Sequence, residues 1–145
     1  MIRIVVQREP IDVGAALAEA EETGAGAVAS FTGLVRADDG VATLELEHYP
    51  GMTEGALGAV AQAAMARWSL LGVTVIHRVG PMVPGDRVVF VATTARHRGA
   101  ALEACASVID RLKTDAPFWK RETLAEGTRW VEARAGDDAA AERWR

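Results

Sequence analysis

Sixteen basic residues lie along this chain, and fourteen of them are arginine. The two lysines, Lys113 and Lys120, fall in one stretch, Leu112-Lys113-Thr114-Asp115-Ala116-Pro117-Phe118-Trp119-Lys120-Arg121-Glu122. Arginine serves wherever plain positive charge is enough. Lysine differs in being a compact amine whose pKa can fall far enough to donate, accept or attack near neutral pH. Arg111 and Arg121 are close in sequence, and like charges disfavour a protonated amine. The competing reading is a pair of solvated lysines beside a helix end.

A second group, Arg96-His97-Arg98-Gly99, falls where an apolar strand gives way to a helix. Backbone amides and the positive helix end would join the side chains there in facing an anion. Arg36, just beyond Gly33, offers a further guanidinium at a strand end. Between Arg96 and Arg121 stand six basic side chains against three acids, Glu103, Asp110 and Asp115. A local positive site on a chain of net charge −4 suits a small anion better than a polyanion. Phe118 and Trp119 read as core, and Arg78, beside His77, reads as a structural ion-pair partner. The residues by themselves give an anion pocket with two lysines and no named reaction.

The elements that must position these groups follow from periodicity and punctuation. Met1 to Arg8 alternates as a strand, and Asp12 can cap a short helix with Val13, Ala16, Leu17 and Ala20 on one face. Gly26 to Arg36 is a strand of small residues in which Gly33 marks a bulge or a close approach. Asp39-Gly40 signals a hairpin to the strand Val41 to Tyr49. Thr53 is placed to cap the longest helix, which Gly72 would end, and strands follow over Val73 to Val79 and Arg87 to Thr94. The second of these is apolar on both faces and therefore central. A third helix runs from about Arg98 to Asp115, stopped by Pro117. Phe118 to Leu124 and Thr128 to Glu132 pair through Gly127. The expected fold class is α+β, a mixed, largely antiparallel sheet with three main helices packed on it. One domain spans 1–145, with 132–145 a loose or short helical tail.

Several classes are excluded. A single cysteine allows no internal disulfide framework and no cysteine-rich metal site. Cys105 shares a helical stripe with Leu102, Ile109 and Leu112, which makes it a packing residue. His48, His77 and His97 form no ligand-spaced pair, so neither a metal nor a resident cofactor is expected. No apolar run approaches a membrane span, and the first residues are too short and strand-like for a signal peptide. The expectation is a cytoplasmic, soluble protein.

One ordered set of motifs goes further. It comprises Phe31-Thr32-Gly33-Leu34-Val35-Arg36, Leu44-Glu45-Leu46-Glu47-His48-Tyr49 with Met52 and Glu54, and His77-Arg78-Val79-Gly80 with Gly85-Asp86. It continues with His97-Arg98, Cys105, Asp110, Lys113 and Pro117-Phe118-Trp119-Lys120-Arg121-Glu122. From roughly Ile2 to Val131 the chain resembles the catalytic (large) subunit family of molybdopterin synthase. Leu102 stands where an aromatic is common, Asp86 where glutamate is common, and the tail after Val131 has no clear counterpart.

The resemblance implies a hammerhead-like α/β fold with an extra small antiparallel sheet. It also implies a sulfurtransferase of molybdenum cofactor biosynthesis, which converts cyclic pyranopterin monophosphate to molybdopterin by forming a dithiolene. The sulfur comes from the C-terminal Gly-Gly thiocarboxylate of a small ubiquitin-like carrier subunit, and a homodimer of the large subunit forms the centre of a heterotetramer. Lys113 and Lys120 take the catalytic positions. Arg36, His97, Arg98 and Arg121 take substrate-binding positions, with Arg36 open to being offered across the dimer. The alternative function is a non-catalytic small-anion-binding regulatory module.

Overall fold

The computed structural model describes residues 1–36, 40–124, 127–130 and 135–144. In chain order the elements are β1 (Ile2–Gln7), α1 (Val13–Glu21), β2 (Ala27–Leu34), β3 (Val41–His48), α2 (Met52–Trp68) and β4 (Gly72–Arg78). Then come β5 (Gly80–Met82), β6 (Arg87–Ala95), α3 (Arg98–Asp115), β7 (Phe118–Leu124), β8 (Gly127–Trp130) and α4 (Ala135–Glu142). Two four-stranded sheets result, ordered β1-β4-β6-β2 and β5-β3-β7-β8. β1 and β4 run parallel, and the other pairings among the described residues are antiparallel. This is the α+β class expected, although the second sheet has as many strands as the first.

Alternation along β4 and β6 decides which helix covers which face. Val73, Val75, Val89 and Val91 pack against Leu57, Val60, Ala61 and Ala64 of α2 and against Ala104, Cys105 and Val108 of α3. Ile76, Phe90 and Ala92 point the other way, onto Ala16 and Ala20 of α1. β6 therefore lies between β4 and β2 with both faces covered, as its unbroken apolar run requires. Cys105 is a core residue, and burial pushes its thiol up to about 11.

Local signals misread three connections. β2 and β3 do not form a hairpin: β2 pairs with β6, while β3 pairs with β5 and β7 in the other sheet. Asp39, half of that hairpin signal, lies outside the described residues. Thr53 does not cap α2. The Glu54 carboxylate accepts from the Gly51 amide at the helix start, while Thr53 is fully buried. Its Oγ1 accepts from the Tyr49 amide at 3.0 Å and donates to the Pro117 carbonyl at 2.7 Å. Gly72 does not end α2 either, because the helix stops at Trp68 with Ser69 left-handed at φ 49°, and Gly72 already opens β4.

The glycine signal in β2 was sound. The register with β6 shifts between Gly33 and Leu34. A Cβ on Gly33 would sit 2.7 Å from Val89 Cγ1 and 3.2 Å from Phe31 Cε1. Val89 is itself buried in the core and has little freedom to retreat. Gly33→Ala is expected to destabilise the fold by about 1–3 kcal/mol, the usual cost of overpacking, read as a lower urea midpoint with an unchanged m-value.

After β8 the chain returns to helical structure. Ala141 of α4 is fully buried, and Trp144 Nε1 donates to Asp110 Oδ2 at 2.6 Å with the Arg143 guanidinium on the same oxygen. Trp144 also meets the edge of Trp68 at a centroid separation of 5.8 Å. Residues 135–144 are thus anchored on α3 and on the end of α2.

Candidate active site

Beyond the Gly33 bulge, the α3-covered face of the first sheet runs out and meets the second sheet. A cavity of about 670 Å³ opens there, and Arg36, His77, Lys113, Phe118, Lys120 and Glu122 are among its lining residues. Lys113 enters from the last turn of α3 and Lys120 from β7. Alternation along β7 puts Phe118, Lys120 and Glu122 on the cavity side and turns Trp119 and Arg121 away. The buried Thr53 hydroxyl, bound to the Pro117 carbonyl, fixes the turn between the two lysines.

The lysines' sequence neighbours behave differently from the charge argument. Arg111 Nε donates to Asp115 Oδ2 at 3.1 Å, and Arg121 pairs with Glu45 at 2.6 Å. Both guanidiniums bring their own carboxylates, which offsets the repulsion that proximity in sequence suggested. Trp119 is not core: it is half exposed and lies against Tyr49 at 5.9 Å.

His77 belongs to the cavity although its sequence context gave it no role. It stacks on Phe118 with ring centroids 4.1 Å apart and planes inclined by 24°. Its Nδ1 lies 2.9 Å from the Arg78 carbonyl oxygen, which can only accept. Nδ1 therefore carries the proton. Loss of solvent around the ring, and secondarily the Lys113 charge, bring its pKa down to about 4, against the pull of that carbonyl. The imidazole is neutral at physiological pH, with the Nε2 lone pair unprotonated.

A folded-state value below the unfolded one means that the unfolded chain binds more protons between about 4 and 6.5. Stability should therefore fall as pH is lowered through that window, by up to about 1.4 kcal/mol per pH unit from this one group. Urea midpoints at pH 7 and pH 5 measure it, and His77→Phe should flatten the difference.

Comparison with known proteins places this geometry. The family model described as MoaE protein matches residues 6–115. The chain belongs to the MoaE family. It is 53% identical over 148 residues to the molybdopterin synthase catalytic subunit of Escherichia coli, covering 98% of this chain and 97% of that one. The MoaE protein of Burkholderia ambifaria superposes with a TM-score of 0.85 at 50% identity, covering 99% and 98% of the two chains. The molybdopterin synthase structure from Staphylococcus aureus gives 0.79 at 33% identity, covering 90% and 96%. The alignment with the Escherichia coli protein leaves almost none of this chain outside, so the tail after Val131 does have counterparts among MoaE proteins.

Within one MoaE chain the expected site residues separate into two groups. Lys113, Lys120 and Arg36 all line the cavity of one chain. His97 and Arg98 are exposed at the other end of α3. From Arg98 to Lys113 is fifteen helical steps, or roughly 22 Å at the α-helical rise. Arg121 faces away from Lys120 and holds Glu45. The ionisable lining residues His77, Glu122 and Asp137 escaped sequence reasoning, though the first two left a signal: His77 continues the inward-facing series Val73, Val75, and Glu122 lies two positions beyond Lys120 on the same strand face.

Proposed function

We propose that this chain is the catalytic subunit of a molybdopterin synthase. It transfers sulfur from the C-terminal thiocarboxylate of a small ubiquitin-like carrier to cyclic pyranopterin monophosphate, building the dithiolene of molybdopterin. The observation that carries this reading is the convergence of Lys113, Lys120 and Arg36 on one open cavity in a MoaE chain. A carbonyl sulfur donor needs its oxygen polarised, and a phosphate-bearing substrate needs cations held apart from the reacting centre.

Lys113, at the exposed last turn of α3, polarises the thiocarboxylate carbonyl and handles the proton as sulfur leaves it for the pterin side chain. Lys120, on the neighbouring strand, stabilises the negative charge that develops on the substrate. Arg36 holds the phosphate. Opening a cyclic phosphate turns a diester into a monoester with more charge, so a guanidinium there grips the intermediate more tightly than the substrate. That difference retains the intermediate between the two sulfur additions.

His97 and Arg98 cannot reach the lysines of their own chain across roughly 22 Å of helix. They join the phosphate group of the neighbouring copy in a homodimer, with one carrier subunit bound at each end. Arg121 acts at a remove, steadying β7 through Glu45. The setting is cytoplasmic, and no helix among the described residues is long and apolar enough to cross a membrane. The test is product formation from cyclic pyranopterin monophosphate and a thiocarboxylated carrier. Dithiolene product supports the reading. A folded chain that binds its authentic carrier and makes none leaves the anion-binding module instead.

A further inference from the structure

The fold fixes the ring orientation and tautomer of His77, a cavity residue. Its Nδ1–H is committed to the Arg78 carbonyl, and its ring is clamped against Phe118. Nε2 makes no hydrogen bond to any described residue. Yet no buried side-chain nitrogen or oxygen among the described residues lacks a partner, so Nε2 is not buried. The ring lines the cavity, and Nε2 keeps some exposure. The site thus contains a neutral acceptor of fixed direction beside three cations, Arg36, Lys113 and Lys120, which can only donate while charged, and two carboxylates, Glu122 and Asp137.

We propose that His77 positions the substrate, its Nε2 accepting a hydrogen bond from an amino or ring N–H of the bound pterin. This rests on the functional reading above and adds to it a residue on the heterocycle side of the site. A pterin edge carries in-plane N–H donors that lose water on entering the cavity, and each needs an acceptor of fixed direction. An imidazole held by stacking and by its own Nδ1–H supplies one without rotamer entropy to lose. Phe118 adds a flat apolar wall suited to an aromatic ring. The carrier tail is the less fitting occupant, because an extended peptide presents donors to alternate sides at backbone spacing, and one rigid acceptor satisfies little of it. Proton transfer fits less well again, since so weak a base would not retain a proton taken from substrate.

The test uses the assembled synthase with thiocarboxylated carrier. His77→Phe keeps an aromatic ring against Phe118 and removes the acceptor, while His77→Gln returns an amide oxygen near the Nε2 position. KM for the cyclic pterin should rise about 10- to 100-fold in His77→Phe, as expected for an unpaired donor on bound substrate. kcat should change far less, carrier affinity should be unchanged, and His77→Gln should recover most of the loss in KM. In the wild type, the ¹⁵N resonance of Nε2 should shift on adding pterin in the absence of sulfur, which gives an answer even if a variant fails to fold. An unchanged KM with an unmoved resonance overturns the proposal. So does weakened carrier binding at constant KM, which would place His77 against the tail, or a fall in kcat alone. Absence of product from the wild type would instead count against the functional reading.

Discussion

Lys113→Ala should abolish dithiolene formation while leaving the chain folded and the carrier bound. Lys113 is exposed at the end of α3, so truncating it removes no core packing. Loss of a group that both polarises the carbonyl and moves a proton is expected to lower turnover by about 10²- to 10⁴-fold. Single-turnover assays with saturating carrier measure it, alongside carrier affinity by calorimetry. Lys120→Ala should also slow the reaction, with the defect in turnover rather than in carrier binding. Substantial residual turnover in Lys113→Ala would move the sulfur chemistry away from α3 and leave Lys113 as a binding group.

The second large effect is a rescue. If His97 and Arg98 serve the neighbouring copy's cavity, Lys113→Ala and Arg98→Ala chains are each inactive or severely impaired alone. In a mixed dimer one cavity holds both defects and the other holds none. Random re-association of equal amounts should therefore restore about a quarter of wild-type sites, from half the dimers with one intact cavity each, as two-fold symmetry requires. The measurement is activity after unfolding and refolding the two chains together, against each refolded alone. No recovery from a refolded mixture shown to contain mixed dimers would mean that Arg98 does not complement Lys113 across the interface.

Individual residues show how much of this was legible in advance. The scarcity of lysine singled out Lys113 and Lys120, and both line the cavity. The strand assignment of Phe118 to Leu124 already implied that Lys120 and Arg121 face opposite ways. That period of two sets Arg121, expected at the substrate, on the strand face where it pairs with Glu45. Asp12 caps α1 through the Ala15 amide at 3.0 Å, as its type and place suggest. Thr53 has equally good capping chemistry and is used to hold the Pro117 carbonyl, because tertiary contact outbid a local preference.

The sequence by itself determined the main helices and strands other than β5, which reads as a turn, along with the α3 boundaries, the bulge at Gly33, the core role of Cys105 and the family. These depend on residues within a few positions of one another, or on ordered motifs that need no coordinates. Only the tertiary structure decided that β2 and β3 part into different sheets, and that Arg36 and Lys113 line one cavity while Arg98 is a helix length away. It alone places His77 in the cavity lining with its Nδ1–H committed to the Arg78 carbonyl. Strand partnership, distance through space and desolvation are collective properties. Alternation tells which face a side chain takes, but which neighbour fills that face is set by the packing of the whole chain.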